Sequence, residues 1–206
     1  FIEMTNPTEV IQGSDEWFAL RLGKVTASKV SDVMSKGTGR ATYMDDLLAE
    51  RMSGQSKPSF TNDAMRWGTE QEPYARQAYE VDQECFVEET GFWEHDELAL
   101  GVSPDGLVGE GGLVEIKCPN SSTHVGWLRT KKVPAKHIKQ IQCQLWVTGR
   151  SWCDFVSYDP RMIDTKNRLM VVRCKRDDAL ITKMELEVRK FLTELDGWTK
   201  GESDEQ

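Results

Sequence analysis

Residues 103–117 read SPDGLVGEGGLVEIK, and two short apolar runs flank the glycine-rich turn at their centre. That pattern predicts two strands of a hairpin. Folding back at Gly109–Gly112 brings Asp105, ten residues before Glu115, beside it. Side chains alternate along a strand, so Glu115 and Lys117 share one face while Ile116 enters the core. Two adjacent carboxylates repel unless a cation lies between them. Oxygen ligands without Cys or His favour Mg²⁺ or Mn²⁺ over zinc. Two such ions, about 3.5–4 Å apart, can activate water and stabilise a phosphodiester transition state. Lys117 is placed to orient or deprotonate the water, or to neutralise developing charge. The Ile116 carbonyl is a candidate further ligand. Spacing alone is not specific, because surface hairpins also carry Glu-x-Lys as an ion pair.

Outward from this hairpin the pattern is helix, strands, helix. Ser14 and Asp15 predict the start of a short amphipathic helix that Gly23 ends, and Thr26 or Ser28 is placed to cap the next. Residues 43–53 predict a third helix closed by Gly54. Residues 55–63 read as a loop. Residues 64–80 predict another helix, in which Pro73 is tolerated only in a first turn or at a kink, so its start is left open. CDFVSY (153–158) and LMVVRC (169–174) are expected strands, and residues 137–148 an expected helix. Leu180, Met184, Val188, Phe191 and Leu195 step at helical spacing through a long amphipathic C-terminal helix. Helices around a central group of strands make one α/β domain over residues 1–206.

The chain has 206 residues, 38% hydrophobic and 29% charged, with no apolar run long enough for a membrane span. The opening FIEMTNPTEV lacks a basic stretch followed by an apolar one, so no secretory signal is expected. Five scattered cysteines without a CxxC pair argue against a disulfide framework and a zinc site, and reduced, mostly buried thiols are expected. The net charge of −8 is unlike that of a nucleic-acid binder. The charge is segregated, however. Residues 80–97 hold eight acids and no Lys or Arg, whereas 129–139 hold five bases and no acid. A local phosphate-binding surface on an acidic body is compatible with that split.

The pattern Pro-Asp-x9-Glu-Ile-Lys resembles the signature of the PD-(D/E)XK, or restriction-endonuclease-like, nucleases. EWFALRLGKVTAS (16–28), WGTEQE (67–72), SPDG (103–106), EIKCP (115–119), QIQCQLWVT (140–148) and YDPRM (158–162) together resemble the phage lambda exonuclease, or YqaJ-type viral recombinase, family. The resemblance implies a restriction-endonuclease-like core with a central mixed β-sheet flanked by helices. It implies metal binding by Asp105, Glu115 and the Ile116 carbonyl, with Lys117 serving the attacking water. Glu72 and Gln140 are implied at the same centre, with Gln142 in support. Arg21, Ser28 and Ser103 match a pocket for the 5′-terminal phosphate, although Ser28 also suits a helix cap and Ser103 a turn. Met65 matches an apolar wedge against the duplex end, a position where core packing is the alternative.

The implied activity is Mg²⁺-dependent 5′→3′ digestion of one strand of linear double-stranded DNA to mononucleotides, leaving a 3′ overhang. A ring-shaped homotrimer, a single-strand annealing partner and a phage or prophage origin in the bacterial cytoplasm are implied with it. A structure-specific or restriction-type endonuclease on the same fold is the alternative. The cysteine spacing does not supply the cluster of the iron–sulfur RecB-like nucleases, so Cys118 is expected to pack in the core.

Overall fold

The computed structural model describes residues 9–58 and 60–200, so the reading of the first eight residues lies outside it. In chain order the helices are α1 Asp15–Arg21, α2 Val30–Val33, α3 Thr38–Ser53, α4 Asp63–Gln83, α5 Ser121–Thr130, α6 Ala135–Thr148 and α7 Asp178–Lys200. The strands are β1 Val25–Thr26, β2 Val87–Glu88, β3 Trp93–Glu94, β4 Leu100–Val102, β5 Gly106–Val108, β6 Gly112–Lys117, β7 Trp152–Tyr158 and β8 Leu169–Lys175.

A five-stranded sheet runs β2-β5-β6-β7-β8, and a smaller one runs β1-β4-β3. β6 and β7 are parallel, while the other pairs of the larger sheet are antiparallel, so this sheet is mixed. The parallel pair needs a long crossover, which α5 and α6 supply. Alternation along β6 and β7 divides the core. Leu113, Cys153 and Phe155 pack with residues of α2, α3, α6 and α7. Val114, Ile116 and Val156 pack on the opposite face against Ala75 and Tyr79 of α4. Helices on both faces of a central mixed sheet are the expected α/β architecture.

The expected hairpin is β5 and β6, with Gly106 opposite Val114 and Val108 opposite Gly112. Gly109 adopts a left-handed backbone (φ +56°), which glycine takes without a Cβ penalty. Buried Arg150 fastens the turn: its Nη1 donates to the carbonyls of Gly109 and Gly112, both at 2.8 Å. A Cβ on Gly112 would run into the Trp152 ring. Gly112→Ala is therefore expected to destabilise the fold by about 1–3 kcal/mol, measured by denaturant unfolding. An unchanged midpoint would show that the ring moves aside freely.

Two local expectations need correction, and one helix was not foreseen. Thr26 precedes the 3₁₀ turn Ala27–Lys29 but makes no side-chain cap, and Ser28 lies inside that turn. Pro73 falls in the interior of α4, not in its first turn. The loss of its N–H is tolerated because Thr69 and Pro73 are both exposed, so water reaches the freed carbonyl. The helix α5 had no apolar periodicity to announce it; Asn120 caps it by accepting from the Thr123 N–H at 2.9 Å.

Candidate nuclease site

Asp105 immediately precedes β5, and Glu115 stands in β6 at the place the hairpin register sets opposite it. The Asp105 Oδ2 accepts a hydrogen bond from the Ile116 N–H at 2.7 Å, which ties the two strands at the site. Glu115 is buried at 2% exposure, and Ile116 turns into the opposite core. Lys117 returns to the Glu115 face, where its Nζ lies 2.7 Å from Glu115 Oε1. Gln140 of α6 donates to the same Oε1 at 3.0 Å.

Burial raises the Asp105 pKa well above the ordinary aspartate range, and the charges of Glu115 and Glu72 push it further. Burial likewise raises Glu72, with Glu115 adding to the shift while Arg76 opposes it. At Lys117, burial works against the charge, but Glu115 and Asp105 outweigh it and hold the ammonium above its usual value. The cluster therefore crowds more carboxyls than ammonium groups into a confined place, where ionising all of them is unfavourable without a further cation. Among the described residues, no group of three or more His, Cys, Asp or Glu side chains forms a ready metal cage. Two carboxylates and oxygen-only chemistry nevertheless suit a hard divalent cation that also takes water and phosphate oxygens.

Most of the remaining sequence-derived residues converge here. A cavity of about 160 Å³ is lined by Arg21, Ser28, Ser103, Asp105, Glu115, Lys117 and Gln140 among others. It adjoins a larger cleft of about 1350 Å³, which shares Arg21, Ser28 and Asp105 and adds Glu72 and Met65. Met65 is 52% exposed, so it belongs to the cleft wall and not to the core. The Arg21 guanidinium lies over the Trp17 ring, 3.8 Å from its centroid, and burial lowers its pKa. Trp17 in turn donates from Nε1 to Ser103 Oγ at 3.0 Å, joining α1 to the segment before Asp105. Arg21 has no carboxylate at ion-pair distance among the described residues, which leaves its fork available to an anion.

Gln142 does not support Gln140. Its Nε2 donates to the Lys175 carbonyl at 2.8 Å and its Oε1 accepts from the Asp177 N–H at 2.8 Å, fixing the β8–α7 corner. Two residues along a helix turn a side chain by about 200°, whereas four turn it by about 40°. The residue sharing the Gln140 face is Gln144, whose Nε2 donates to Glu115 Oε2 at 2.9 Å. Helical spacing alone would have selected it.

His137, at the start of α6, stacks on Phe155 at 5.4 Å and meets the Trp127 edge at 5.8 Å. Burial, then Lys117 and Lys136, depress its pKa to about 4. The unfolded value lies near 6.5, so stability from neutral His137 is complete above that pH and is lost as pH falls through about 4. Wild type is accordingly expected to lose more stability than His137→Phe between pH 7 and pH 4.5 in denaturant titrations. Parallel losses would remove His137 from that dependence.

A family profile for the YqaJ-like viral recombinase domain matches residues 16–151, about two thirds of the chain. The chain belongs to the YqaJ-like viral recombinase family. It is 48% identical to LHK-Exo in complex with dAMP, with a TM-score of 0.87 over 91% of this chain and 95% of that one. A second structure, an alkaline exonuclease (LHK-Exo) from Laribacter hongkongensis, is 47% identical over 92% and 98% of the two chains, also at a TM-score of 0.87. A phage related exonuclease from Haemophilus somnus 129PT is 18% identical and shares the fold, with a TM-score of 0.69 over 86% and 96%. The uncharacterized protein R354 of Acanthamoeba polyphaga mimivirus is 27% identical over 159 residues, 70% of this chain. The chain spans 28% of that relative's length. The YqaJ-like match includes every sequence-derived site residue, from Arg21 to Gln140.

The five cysteines are free; Cys118, Cys143 and Cys153 are buried, and Cys85 and Cys174 partly so. Cys118 packs beside Ile116 against α4, in keeping with a core role. Among the described residues, no helix is long and apolar enough to cross a membrane.

Proposed function

We propose that this YqaJ-like chain is a Mg²⁺-dependent 5′→3′ exonuclease acting on linear double-stranded DNA, with Mn²⁺ as a substitute. The observation that carries the reading is the shared cavity, in which Arg21, Ser28 and Ser103 stand with Asp105, Glu115 and Lys117. A pocket for a terminal phosphate beside a hydrolytic centre makes cleavage depend on a DNA end. Asp105, Glu115 and the Ile116 carbonyl would hold the metal. When bound, up to two Mg²⁺ ions supply Lewis-acid stabilisation of phosphodiester charge and a more acidic water.

The chain's own groups do the rest. Gln140 and Lys117 both engage the Oε1 oxygen of Glu115. Lys117 presents an ammonium where negative charge develops. Arg21 offers paired donors to a terminal phosphate, and the hydroxyls of Ser28 and Ser103 add polar contacts. Glu72 and Met65 line the cleft through which the duplex end approaches, Met65 as an apolar wedge. Arg129, Lys131, Lys132, Lys136 and Lys139 surround the α5–α6 turn, and none has a carboxylate at ion-pair distance among the described residues. Those unpaired bases suit DNA phosphates, despite the acidic whole.

A homotrimeric ring with a central DNA channel, feeding a 3′ overhang to a single-strand annealing protein during phage-type recombination in a bacterial cytoplasm, completes the proposal. Linear and covalently closed duplexes incubated with Mg²⁺ provide its test. Degradation confined to linear DNA is expected. Equal nicking of closed circles would establish an endonuclease instead.

A further inference from the structure

We propose that Gln144 is a positioning residue that fixes the Glu115 carboxylate through the oxygen that Gln140 does not reach. This inference rests on the reading of Glu115 as part of a metal centre. Gln144 is 1% exposed in α6, between the core residues Cys143 and Leu145. Packing alone would favour an apolar side chain there, since a buried amide must find partners for both its ends. The Nε2 group has one, Glu115 Oε2 at 2.9 Å. Its Oε1 is buried with no hydrogen-bond partner among the described residues. The side chain lines the small cavity with Asp105, Glu115 and Lys117.

What the polar side chain gains, then, is its bond to Glu115. Gln140 reaches Oε1 and Gln144 reaches Oε2, so two amides one helical turn apart grip the two oxygens. A carboxylate held at both oxygens cannot rotate about its terminal bond, and its remaining lone pairs keep one direction. Groups that orient a metal-binding carboxylate in this way commonly change metal affinity by about 10–100-fold. Backbone support comes from Thr148, whose Oγ1 donates to the Gln144 carbonyl at 2.7 Å.

The test is calorimetric titration of the full chain with Mn²⁺, comparing wild type, Gln144→Met and Asp105→Ala, together with steady-state digestion of linear duplex. Gln144→Met is expected to bind Mn²⁺ about tenfold more weakly, with kcat lowered and KM for DNA unchanged. Asp105→Ala is expected to lose Mn²⁺ binding. Wild-type affinity in Gln144→Met alongside lost binding in Asp105→Ala would overturn the role of Gln144 and leave the metal centre standing. Wild-type affinity in Asp105→Ala would remove the metal centre and the proposal with it. A second measurement needs no variant: the Gln144 side-chain amide signal of ¹⁵N-labelled wild type, followed as Mg²⁺ is added. A shift saturating with Mg²⁺ supports the role; an unmoved signal overturns it.

Discussion

Asp105→Asn, assayed on linear duplex DNA with Mg²⁺, is expected to lose activity by on the order of 10³-fold while becoming more stable without metal. Both effects have one origin. Asp105 is buried beside Glu115 and Glu72, which makes its carboxylate hard to ionise without a cation. Its folded pKa lies above the unfolded value of 3.8, so the folded state binds the extra proton. The stability this confers is complete below pH 3.8 and is lost progressively as pH rises toward the folded value. A neutral Asn escapes that penalty and keeps an acceptor for the Ile116 N–H. Thermal unfolding in a chelator should therefore show a higher midpoint for Asp105→Asn at pH 8, with the difference closing toward pH 4. Lys117→Ala is expected to lose activity comparably, since it removes the ammonium beside Glu115. Near-wild-type digestion by either variant would place the chemistry elsewhere.

The second large effect concerns selection of the DNA end. Arg21→Ala is expected to abolish the preference for 5′-phosphorylated over 5′-hydroxyl ends, a loss of roughly 10–100-fold on the phosphorylated substrate. Digestion of 5′-hydroxyl ends should change little. The Trp17 ring beneath the guanidinium and the Trp17–Ser103 bond explain why a lysine is a poor replacement. An ammonium lacks the planar fork that stacks and donates in pairs. Arg21→Lys should accordingly recover only part of the preference. An unchanged ratio in Arg21→Ala would take Arg21 out of the phosphate pocket.

The hairpin was legible in the sequence because two local rules coincide there. Glycines mark the turn, and strand alternation sends Ile116 one way and Glu115 and Lys117 the other. The C-terminal helix was equally plain, since Met184, Val188, Phe191 and Leu195 repeat on one buried face. Where the signal is tertiary, local reading fails. SSTHVGWLRT has no helical stripe, and α5 is held by an Asn120 cap and by Trp127 against Phe155. Pro73 left the start of α4 open because its tolerance depends on which side of the helix meets water.

The site was legible as a residue set and less so as a geometry. Arg21 and Ser103 are far apart in sequence, and nothing local announces that Trp17 bridges them. The glutamines make the same point more sharply. Motif resemblance directed attention to Gln140 and Gln142, whereas helix geometry pairs Gln140 with Gln144 and turns Gln142 toward Asp177. A resemblance transfers positions, and the angle between successive residues decides which of them meet.

The central claim is end-dependent hydrolysis from the 5′ terminus at the Asp105–Glu115 centre. It is tested most directly by digesting a linear duplex, carrying separate labels at the 5′ and 3′ ends of one strand, in Mg²⁺. The 5′ label is predicted to leave first as a mononucleotide, while the 3′ label stays on a steadily shortening strand. First release of the 3′ label, or the appearance of internal fragments, would contradict the account.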